Sequence, residues 1–414
     1  MKTLRIALVL ASASGIAAGP ARQPPVHLEM DMTSAEYSAL TIGLEETEAN
    51  DPLTAILAFG KRNLQWLEFV NAARDANKLE LSTAATQVGY PIDQPTFSNR
   101  EIVARDWNAF VLTLPQVVKD VVIDGKDFTS DLGGLTDDQF LAAIRPLDKL
   151  YQRASRWLLQ EPYLEYYTSA AADDIRGYYY LQREADLEAK LGNWSALGDA
   201  DKARLTSLLV GQCRNSQKEE DECKTELTAS PDQDGGVLAF HRRYVDAAAT
   251  HFNEYFQIQG VRADVTWTSE NENLLSIPFK NPQRDDVLVW LRDNIQDEWK
   301  WQGWELKLDF QDEGDENMTH VVFEAGATPH VNGIAGSEIT MDGNRSIAEY
   351  SSRWTIRHEY GHVLGFPDCY LEFYDKSVNQ MVQYQLDITN LMCSRRGHLQ
   401  QSHFDEMKRI YYRP

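Results

Sequence analysis

The sequence predicts a multidomain protein in which a mostly α-helical N-terminal domain precedes an α+β domain. The chain has 414 residues, which is more than one ordinary domain core needs. In the first half apolar residues recur at helical spacings, whereas the second half also contains runs that alternate as in β-strands. A polar stretch between Cys213 and Gly236 separates the two patterns. We therefore expect residues 22–235 and 236–414 to form separate domains.

The first 21 residues have the pattern of a secretory signal peptide. Lys2 and Arg5 precede an apolar run at residues 6–18, and small residues suited to cleavage follow at residues 19–21. We therefore expect a secreted or periplasmic protein. The alternative is a buried N-terminal helix, because the apolar run is short and rich in alanine and serine.

The N-terminal domain is predicted to be helical. Asp51 and Pro52 begin a segment whose apolar residues recur at spacings of three, four and seven. Further helical stretches lie at residues 100–114, 137–159 and 175–191. The pattern leaves three roles open for this domain: a removable propeptide, a targeting module or a permanent substrate-binding domain.

The second domain alternates helices with strands. Asn281 and Pro282 begin a helix whose apolar residues recur at four-residue spacing. Residues 304–310 alternate apolar and charged side chains, which is the period of a half-buried strand. Strands are also predicted at residues 263–268, 320–324 and 336–341.

The segment after the last of these strands predicts a helix with two histidines on one face. Ser346 and Glu349 form a capping box that would begin this helix. His358 and His362 lie four residues apart, so their imidazoles can hold the same cation, and Glu359 lies beside them. Together these residues form the HExxH pattern of zinc metallopeptidases.

The helix must end soon after His362 if a third ligand is to return to the metal. Gly365 permits a left-handed exit, and Pro367 blocks a further turn. Asp368 follows directly, and a carboxylate is a legitimate zinc ligand. Three protein ligands and one water are typical of a catalytic zinc site, whereas structural sites usually have four protein ligands.

The string HEYGHVLGFPD resembles the signature of the metzincin clan of metallopeptidases, in which HExxHxxGxx precedes a histidine or, in a minority, an aspartate. Asp368 is similar to the snapalysin-like minority. Met392 matches the clan's methionine turn, and a predicted helix at residues 402–412 follows it. The resemblance covers about residues 260–414 and implies a metzincin-like catalytic domain with a twisted mixed sheet, an active-site helix and a C-terminal helix. Ser394 stands where some clan members have a tyrosine that acts at the transition state.

The resemblance implies a secreted zinc-dependent endopeptidase that acts on protein or peptide substrates. His358, His362 and Asp368 would hold one catalytic Zn2+. Glu359 would take a proton from the zinc-bound water and return one to the leaving amine. Residues 336–341, as an open sheet edge, would align an extended substrate.

Two alternatives stay open at this point. A gluzincin-type peptidase would take its third ligand from a glutamate on a later helix, although Gly365 and Pro367 argue against a continuing helix. A secreted binding or toxin-like protein would keep the zinc only for structure. If the N-terminal domain is a propeptide, Cys213 or an acidic residue within 232–236 would have to block the zinc.

The four cysteines are predicted to form two disulfides. Cys213 and Cys223 would close a short loop, whereas Cys369 and Cys393 would tether the third ligand to the methionine turn. Four cysteines allow three pairings, and two unrelated buried thiols are the alternative for the second pair.

A net charge of -23 argues against nucleic acid and anionic membrane surfaces as partners, and no stretch after the N-terminal run predicts integral membrane association. An acidic loop is a weaker candidate for Ca2+, because its spacing fits no defined calcium loop and favours a solvated turn; it consists of Asp309, Asp312, Asp315 and Glu316.

Overall fold

The computed structural model describes residues 28–44, 51–81, 90–230, 235–314 and 317–414. The predicted signal peptide lies outside these residues. Helices occupy most of the described first half, and helices and strands share the second, so the predicted mixture of α and β structure is confirmed. The α-helices are α1 (Ser34–Leu40), α2 (Pro52–Ala72), α3 (Arg100–Val111), α4 (Gln116–Val118), α5 (Asp137–Gln160), α6 (Leu164–Ala170), α7 (Arg176–Leu181), α8 (Leu187–Gly192), α9 (Asp199–Arg214), α10 (Glu220–Ala229), α11 (Gly236–Glu254), α12 (Asp285–Leu291), α13 (Tyr350–Val363) and α14 (Gln401–Tyr411).

The strands form small sheets rather than one continuous sheet. Their orders are β1-β10-β9, β3-β5-β4, β6-β8-β7 and β11-β2. Among the described helices, none is both long and apolar enough to cross a membrane. The strands are β1 (Thr96–Ser98), β2 (Trp267–Thr268), β3 (Leu274–Lys280), β4 (Lys300–Trp301), β5 (Trp304–Gln311), β6 (His320–Glu324), β7 (His330–Val331), β8 (Glu338–Asp342), β9 (Tyr370–Asp375), β10 (Gln380–Gln385) and β11 (Tyr412–Arg413).

The predicted elements of the second half are present, with different ends. β5, β6 and α14 occupy the segments predicted for them. The helix predicted from Asn281 begins at Asp285 and continues as a π-helix, Arg292–Gln296. The strand predicted at residues 263–268 is reduced to β2, because a parallel ladder with β11 forms only at its last two residues.

The expectation that residues 336–341 form an open sheet edge is wrong. β8 is the central strand of its sheet, and Ile339 lies opposite Val321 of β6 on one side and Val331 of β7 on the other. The chain doubles back before β8 at Gly333 and Ala335, whose φ values are 131° and 58°. This reversal brings β7 alongside β8 in antiparallel pairing, so β7 takes the edge position.

Each half of the chain has a buried core. In the first half the rings of Trp66 and Phe140 meet edge to face at 4.8 Å and join α2 to α5. In the second half the buried Trp299 packs against Tyr360 of α13. A further apolar cluster contains Leu209 of α9 together with Phe240 of α11, so packing continues across the predicted boundary at residue 236. The boundary itself stays a prediction.

The two halves share one sheet. β1 pairs antiparallel with β10, and β10 pairs antiparallel with β9. The hairpin of β9 and β10 lies in the chain between Asp368 and Met392. The N-terminal half therefore contacts the segment that connects the predicted third ligand to the methionine turn.

Candidate metal centre

The helix that carries the predicted ligands, α13, begins later than the capping box predicts. Glu349 is its N-cap, but the Glu349 side chain makes no capping hydrogen bond, and its backbone is extended with ψ 144°. Ser346 and Glu349 instead close a turn ahead of the helix, in which the Ser346 N–H donates to Glu349 Oε1 at 3.2 Å. The predicted helix start is therefore wrong, whereas the positions of the histidines on the helix are as expected.

The structure brings His358, His362 and Asp368 together. One ligand atom from each of the three lies within 4.8 Å of the others. Asp368 Oδ1 lies 3.0 Å from His358 Nε2 and 3.3 Å from His362 Nε2. Among the described residues, this group of histidine and carboxylate side chains is the one that could hold a metal ion.

The turn that returns Asp368 to the helix depends on a glycine. Gly365 has a φ of +93°, and a Cβ atom there would lie 1.9 Å from the carbonyl oxygen of Gly260. Only glycine fits a left-handed position pressed this closely against another backbone. After Gly365 the Phe366 N–H donates back to the Gly361 carbonyl at 3.0 Å, so the chain folds over the end of α13.

Hydrogen bonds from the backbone orient both imidazoles. His358 Nδ1 lies 2.8 Å from the carbonyl oxygen of Leu391, and His362 Nδ1 lies 2.8 Å from that of Phe366. A carbonyl oxygen only accepts, so each Nδ1 carries a proton and each Nε2 faces the centre of the group, where a bound metal would displace any proton on Nε2. The neutral imidazole with its proton on Nδ1 leaves Nε2 free as a ligand. This tautomer is the one that binds metals, and such outer hydrogen bonds are the usual support of histidine ligands.

The charges in the group are complementary. Burial lowers the pKa of His358, but the hydrogen bond and charge of Asp368 outweigh burial and raise this pKa to about 10. Burial raises the pKa of Asp368, but His362 and His358 outweigh burial and hold this pKa well below its ordinary value. Asp368 is therefore an anion that favours a cation between the three side chains. Two imidazole nitrogens and one carboxylate fit a divalent transition metal and leave a coordination position open.

Glu359 lies beside the ligands without being one of them. Its side chain is only 4% exposed, and burial raises its pKa. A buried carboxyl group with a raised pKa holds a proton more readily than an ordinary glutamate does. The arrangement can therefore accept and return a proton next to a bound metal ion.

Met392 packs against α13, and the expected second disulfide is present. A Cβ atom on Gly361 would lie 2.1 Å from Met392 Sδ, so the methionine packs directly against α13. A disulfide joins Cys369 to Cys393, and the Cys369 N–H donates to the Met392 carbonyl at 3.1 Å. The loop that contains Asp368 is thus fastened to the segment that contains Met392.

Two further predictions concerned Cys213 as a blocking thiol and the acidic loop as a calcium site. Cys213 forms a disulfide with Cys223, so it offers no thiol that could block a metal. In the acidic loop Asp312 accepts hydrogen bonds from the amides of Asn281 and Gln283. Asp315 and Glu316 of that loop lie outside the described residues.

Three residues near the group were not identified from the sequence. The ring of Tyr370 stacks on His358, with centroids 6.5 Å apart and planes at 23°. The charge of Glu29 contributes to raising the pKa of His358 and of Glu359. Arg395 forms ion pairs with the segment that follows Glu29. Tyr370 could have been noticed two positions after Asp368, but no local pattern connects residue 29 with residue 358.

The chain matches no protein-family model, no curated protein and no solved structure. The geometry of the group and the sequence pattern therefore carry the functional argument.

Proposed function

We propose that the chain is a secreted zinc-dependent endopeptidase with a metzincin-like catalytic domain. The observation that carries the proposal is the convergence of His358, His362 and Asp368 next to a buried Glu359. Two nitrogen ligands and one oxygen ligand suit Zn2+, and a catalytic zinc site has three protein ligands and one open position.

The metal would supply Lewis acidity for a bound water and for the scissile carbonyl. His358 and His362 would hold it through Nε2, because their Nδ1 protons are committed to backbone carbonyls. Glu359 would receive the water's proton on its carboxylate and return a proton to the leaving amine. Burial raises the pKa of Glu359, which suits a group that must hold this proton between the two steps.

The segment after α13 supports a metzincin-like centre over a gluzincin-type one. A glutamate ligand would come from a later helix, and the next helix is α14. Its buried Glu406 is occupied elsewhere, since Glu406 accepts a hydrogen bond from the Ile258 N–H at 2.8 Å and pairs with Arg409. Asp368 instead comes five residues after the end of α13, and Met392 packs against Gly361 on that helix.

The disulfides support an extracytoplasmic location. Both pairs are buried, and disulfides persist mainly in secreted or periplasmic proteins. A peptide substrate would follow from the chemistry of the group, which combines a metal site with a carboxyl base.

The test compares the wild type with Glu359→Gln and His362→Ala on a denatured protein substrate, with zinc content measured on each protein. Glu305→Gln is the matched control, because Glu305 is exposed on β5. We expect cleavage and about one zinc per chain in the wild type and the control. Glu359→Gln should keep zinc and lose at least about 100-fold in rate, which is the lower end of what a general base contributes, and His362→Ala should lose zinc.

Two results would count against the proposal. Equal rates for the wild type and Glu359→Gln would remove the assigned base. Bound zinc without cleavage, even after the N-terminal half has been removed, would favour the binding protein with a structural zinc site.

A further inference from the structure

The carbonyl that orients His358 belongs to a peptide group that is held on both sides. The Leu391 carbonyl oxygen accepts the hydrogen bond from His358 Nδ1 at 2.8 Å. The same peptide group contains the N–H of Met392, which donates to Asn390 Oδ1 at 2.8 Å. In a trans peptide group the N–H and the C=O point in opposite directions, so the two hydrogen bonds fix its plane from opposite sides. The Asn390 side chain therefore sets the direction from which the carbonyl meets the imidazole.

The N–H groups on either side of Met392 have backbone acceptors. The Leu391 N–H donates to the His398 carbonyl at 3.2 Å. The Cys393 N–H donates to the Asn390 carbonyl at 3.1 Å. Any amino acid at these positions would supply such a carbonyl. The Met392 N–H is bound by a side chain instead, so the orientation of its peptide group depends on which amino acid occupies position 390.

The Asn390 side chain is itself held by a histidine on α14. His403 Nδ1 accepts a hydrogen bond from the Gln400 N–H at 2.9 Å, so this nitrogen carries no proton. The proton lies on Nε2, which donates to Asn390 Oδ1 at 3.0 Å. Burial also lowers the pKa of His403 to about 4, which keeps the ring neutral. Asn390 and His403 are each only 3% exposed, so water does not compete for this contact.

The ring of His403 also packs against the segment that orients the second histidine ligand. It meets the rings of Trp299 and Phe366 edge to face, with centroids 6.3 and 5.3 Å away. The carbonyl oxygen of Phe366 is the acceptor for His362 Nδ1 at 2.8 Å. His403 thus contacts the support of one ligand through its hydrogen bond and that of the other through its ring.

We propose that Asn390 and His403 are positioning residues of the metal centre. Asn390 fixes the peptide group that orients His358, and His403 fixes the side chain of Asn390. This inference rests on the proposed function only in so far as the centre binds zinc. It gives α14 a part in metal binding that acts through hydrogen bonds to the ligand's support.

The test uses the full-length protein with Asn390→Ala, which removes the acceptor, and Asn390→Asp, which keeps an oxygen in the same place. Asn99→Ala is the matched control, because Asn99 is also buried and its Oδ1 accepts from the Ile102 N–H at 2.6 Å, at the start of α3. The zinc dissociation constant is measured by competition with a chromophoric chelator. The visible absorption spectrum of the Co2+-loaded protein reports the coordination geometry. The melting temperature of the metal-free protein reports the stability of the fold.

We expect Asn390→Ala to raise the zinc dissociation constant by about tenfold, the lower end of the effect of losing an outer partner, and to alter the Co2+ spectrum. Asn390→Asp should restore the zinc affinity to within about threefold of the wild type, because both donors keep their acceptor. Asn99→Ala should also lower the melting temperature, since it removes the same kind of hydrogen bond. Its zinc affinity and its Co2+ spectrum should be those of the wild type.

A second pair of variants decides the question if Asn390→Ala does not fold. His403→Phe keeps a ring to pack against Trp299 and Phe366 but lacks the Nε2 donor. His403→Gln can carry an N–H donor at the position of Nε2. We expect His403→Phe to bind zinc at least about threefold more weakly than His403→Gln. Equal affinities in this pair would overturn the inference.

The remaining outcomes separate the inference from the proposed function. Zinc affinity that is unchanged in Asn390→Ala, or that falls equally in Asn99→Ala, would overturn the inference, whatever happens to cleavage. A wild type that binds zinc without cleaving peptides would overturn the proposed function, while the affinity differences would still support the inference. A wild type that binds no zinc would overturn both.

Discussion

Arg395, three residues beyond Met392, forms a buried ion pair with Asp31 near the start of the described chain. Its Nε lies 2.5 Å from Asp31 Oδ1, and its Nη1 lies 3.0 Å from Glu36 Oε1. The Arg395 side chain is only 7% exposed. One arginine thus connects the segment after Met392 to the N-terminal segment that includes Glu29, whose charge raises the pKa of His358 and of Glu359.

Replacing Arg395 with methionine should destabilise the protein. Asp31 and Glu36 would lose their shared cation in a buried site, and breaking a buried ion pair usually costs about 3–5 kcal/mol. Urea unfolding measures the loss. Arg353→Met is the control, because Arg353 is exposed on α13, and its effect should stay within about 0.5 kcal/mol. Similar losses from both variants would contradict the assigned role of Arg395.

The two disulfides should differ in their effect on the metal site. Replacing Cys369 and Cys393 together with alanine should lower the unfolding free energy by about 2–4 kcal/mol. The same variant should bind zinc at least about tenfold more weakly, as expected when the support of a ligand is lost. Replacing Cys213 and Cys223 should reduce stability without changing zinc affinity, since that pair lies in a separate apolar cluster. Equal zinc affinities for the two double variants would be the contrary result.

Gly365→Ala should be strongly destabilising. The substitution combines a φ of +93° with a Cβ atom 1.9 Å from the Gly260 carbonyl oxygen, and that backbone atom cannot give way cheaply. We expect a loss of about 3 kcal/mol or more, since strained backbone alone accounts for 1–3 kcal/mol. Gly192→Ala is the control, because Gly192 belongs to helix α8 and an added Cβ would meet only the Leu238 side chain, at the ordinary contact distance of 3.8 Å. Thermal unfolding of both variants should show a large decrease for the first and little change for the second.

His403 should make the protein less stable in acid. Burial lowers the pKa of its imidazole from 6.5 to about 4, so the unfolded chain takes up the proton first as the pH falls. Stability is therefore lost between about pH 6.5 and pH 4, by at most about 3 kcal/mol. In His403→Gln the unfolding free energy should depend less on pH across this range. A variant with the wild-type slope would show that another group is responsible.

Asp148 should make the protein more stable in acid, over much of the same pH range. Burial raises the pKa of its carboxyl group from 3.8 to about 6, so the folded protein holds the proton more tightly than the unfolded chain does. Its contribution is complete below about pH 4 and is lost as the pH rises through 6. In Asp148→Asn the unfolding free energy should therefore rise more steeply with pH between 4 and 6. Urea unfolding at pH 4, 5, 6 and 7 tests both variants together.

Local pattern predicted the parts of the structure that depend on neighbours in sequence. The spacing of His358 and His362 placed both on one helix face, and Gly365 marked the turn that brings Asp368 back. The alternation in residues 304–310 corresponds to β5. In each case the physical cause, a helical or strand period or a required φ, acts within a few residues.

The misplaced features depend on contacts that no periodic pattern in the sequence specifies. Ser346 was expected to cap α13 with Glu349 in its first turn, but Glu349 is itself the N-cap residue and the helix begins at Tyr350. β8 became a central strand because the reversal at Gly333 supplied β7 as a second neighbour. The pairing of Arg395 with Asp31 joins charged side chains that carry no periodic signal, and only the folded chain brings them together.

The pairing of β1 with β10 has a consequence for any shortened form of the protein. Strand β1 covers the outer side of β10 through three residue pairs, from Thr96 with Gln383 to Ser98 with Met381. Cutting away the N-terminal half would leave a row of unpaired backbone donors and acceptors beside the apolar Met381 and Val382. Such an edge is a template for strands from other molecules. A form without the N-terminal half would therefore be prone to self-association or would have to recruit a replacement strand, so its solubility would depend on what covers β10.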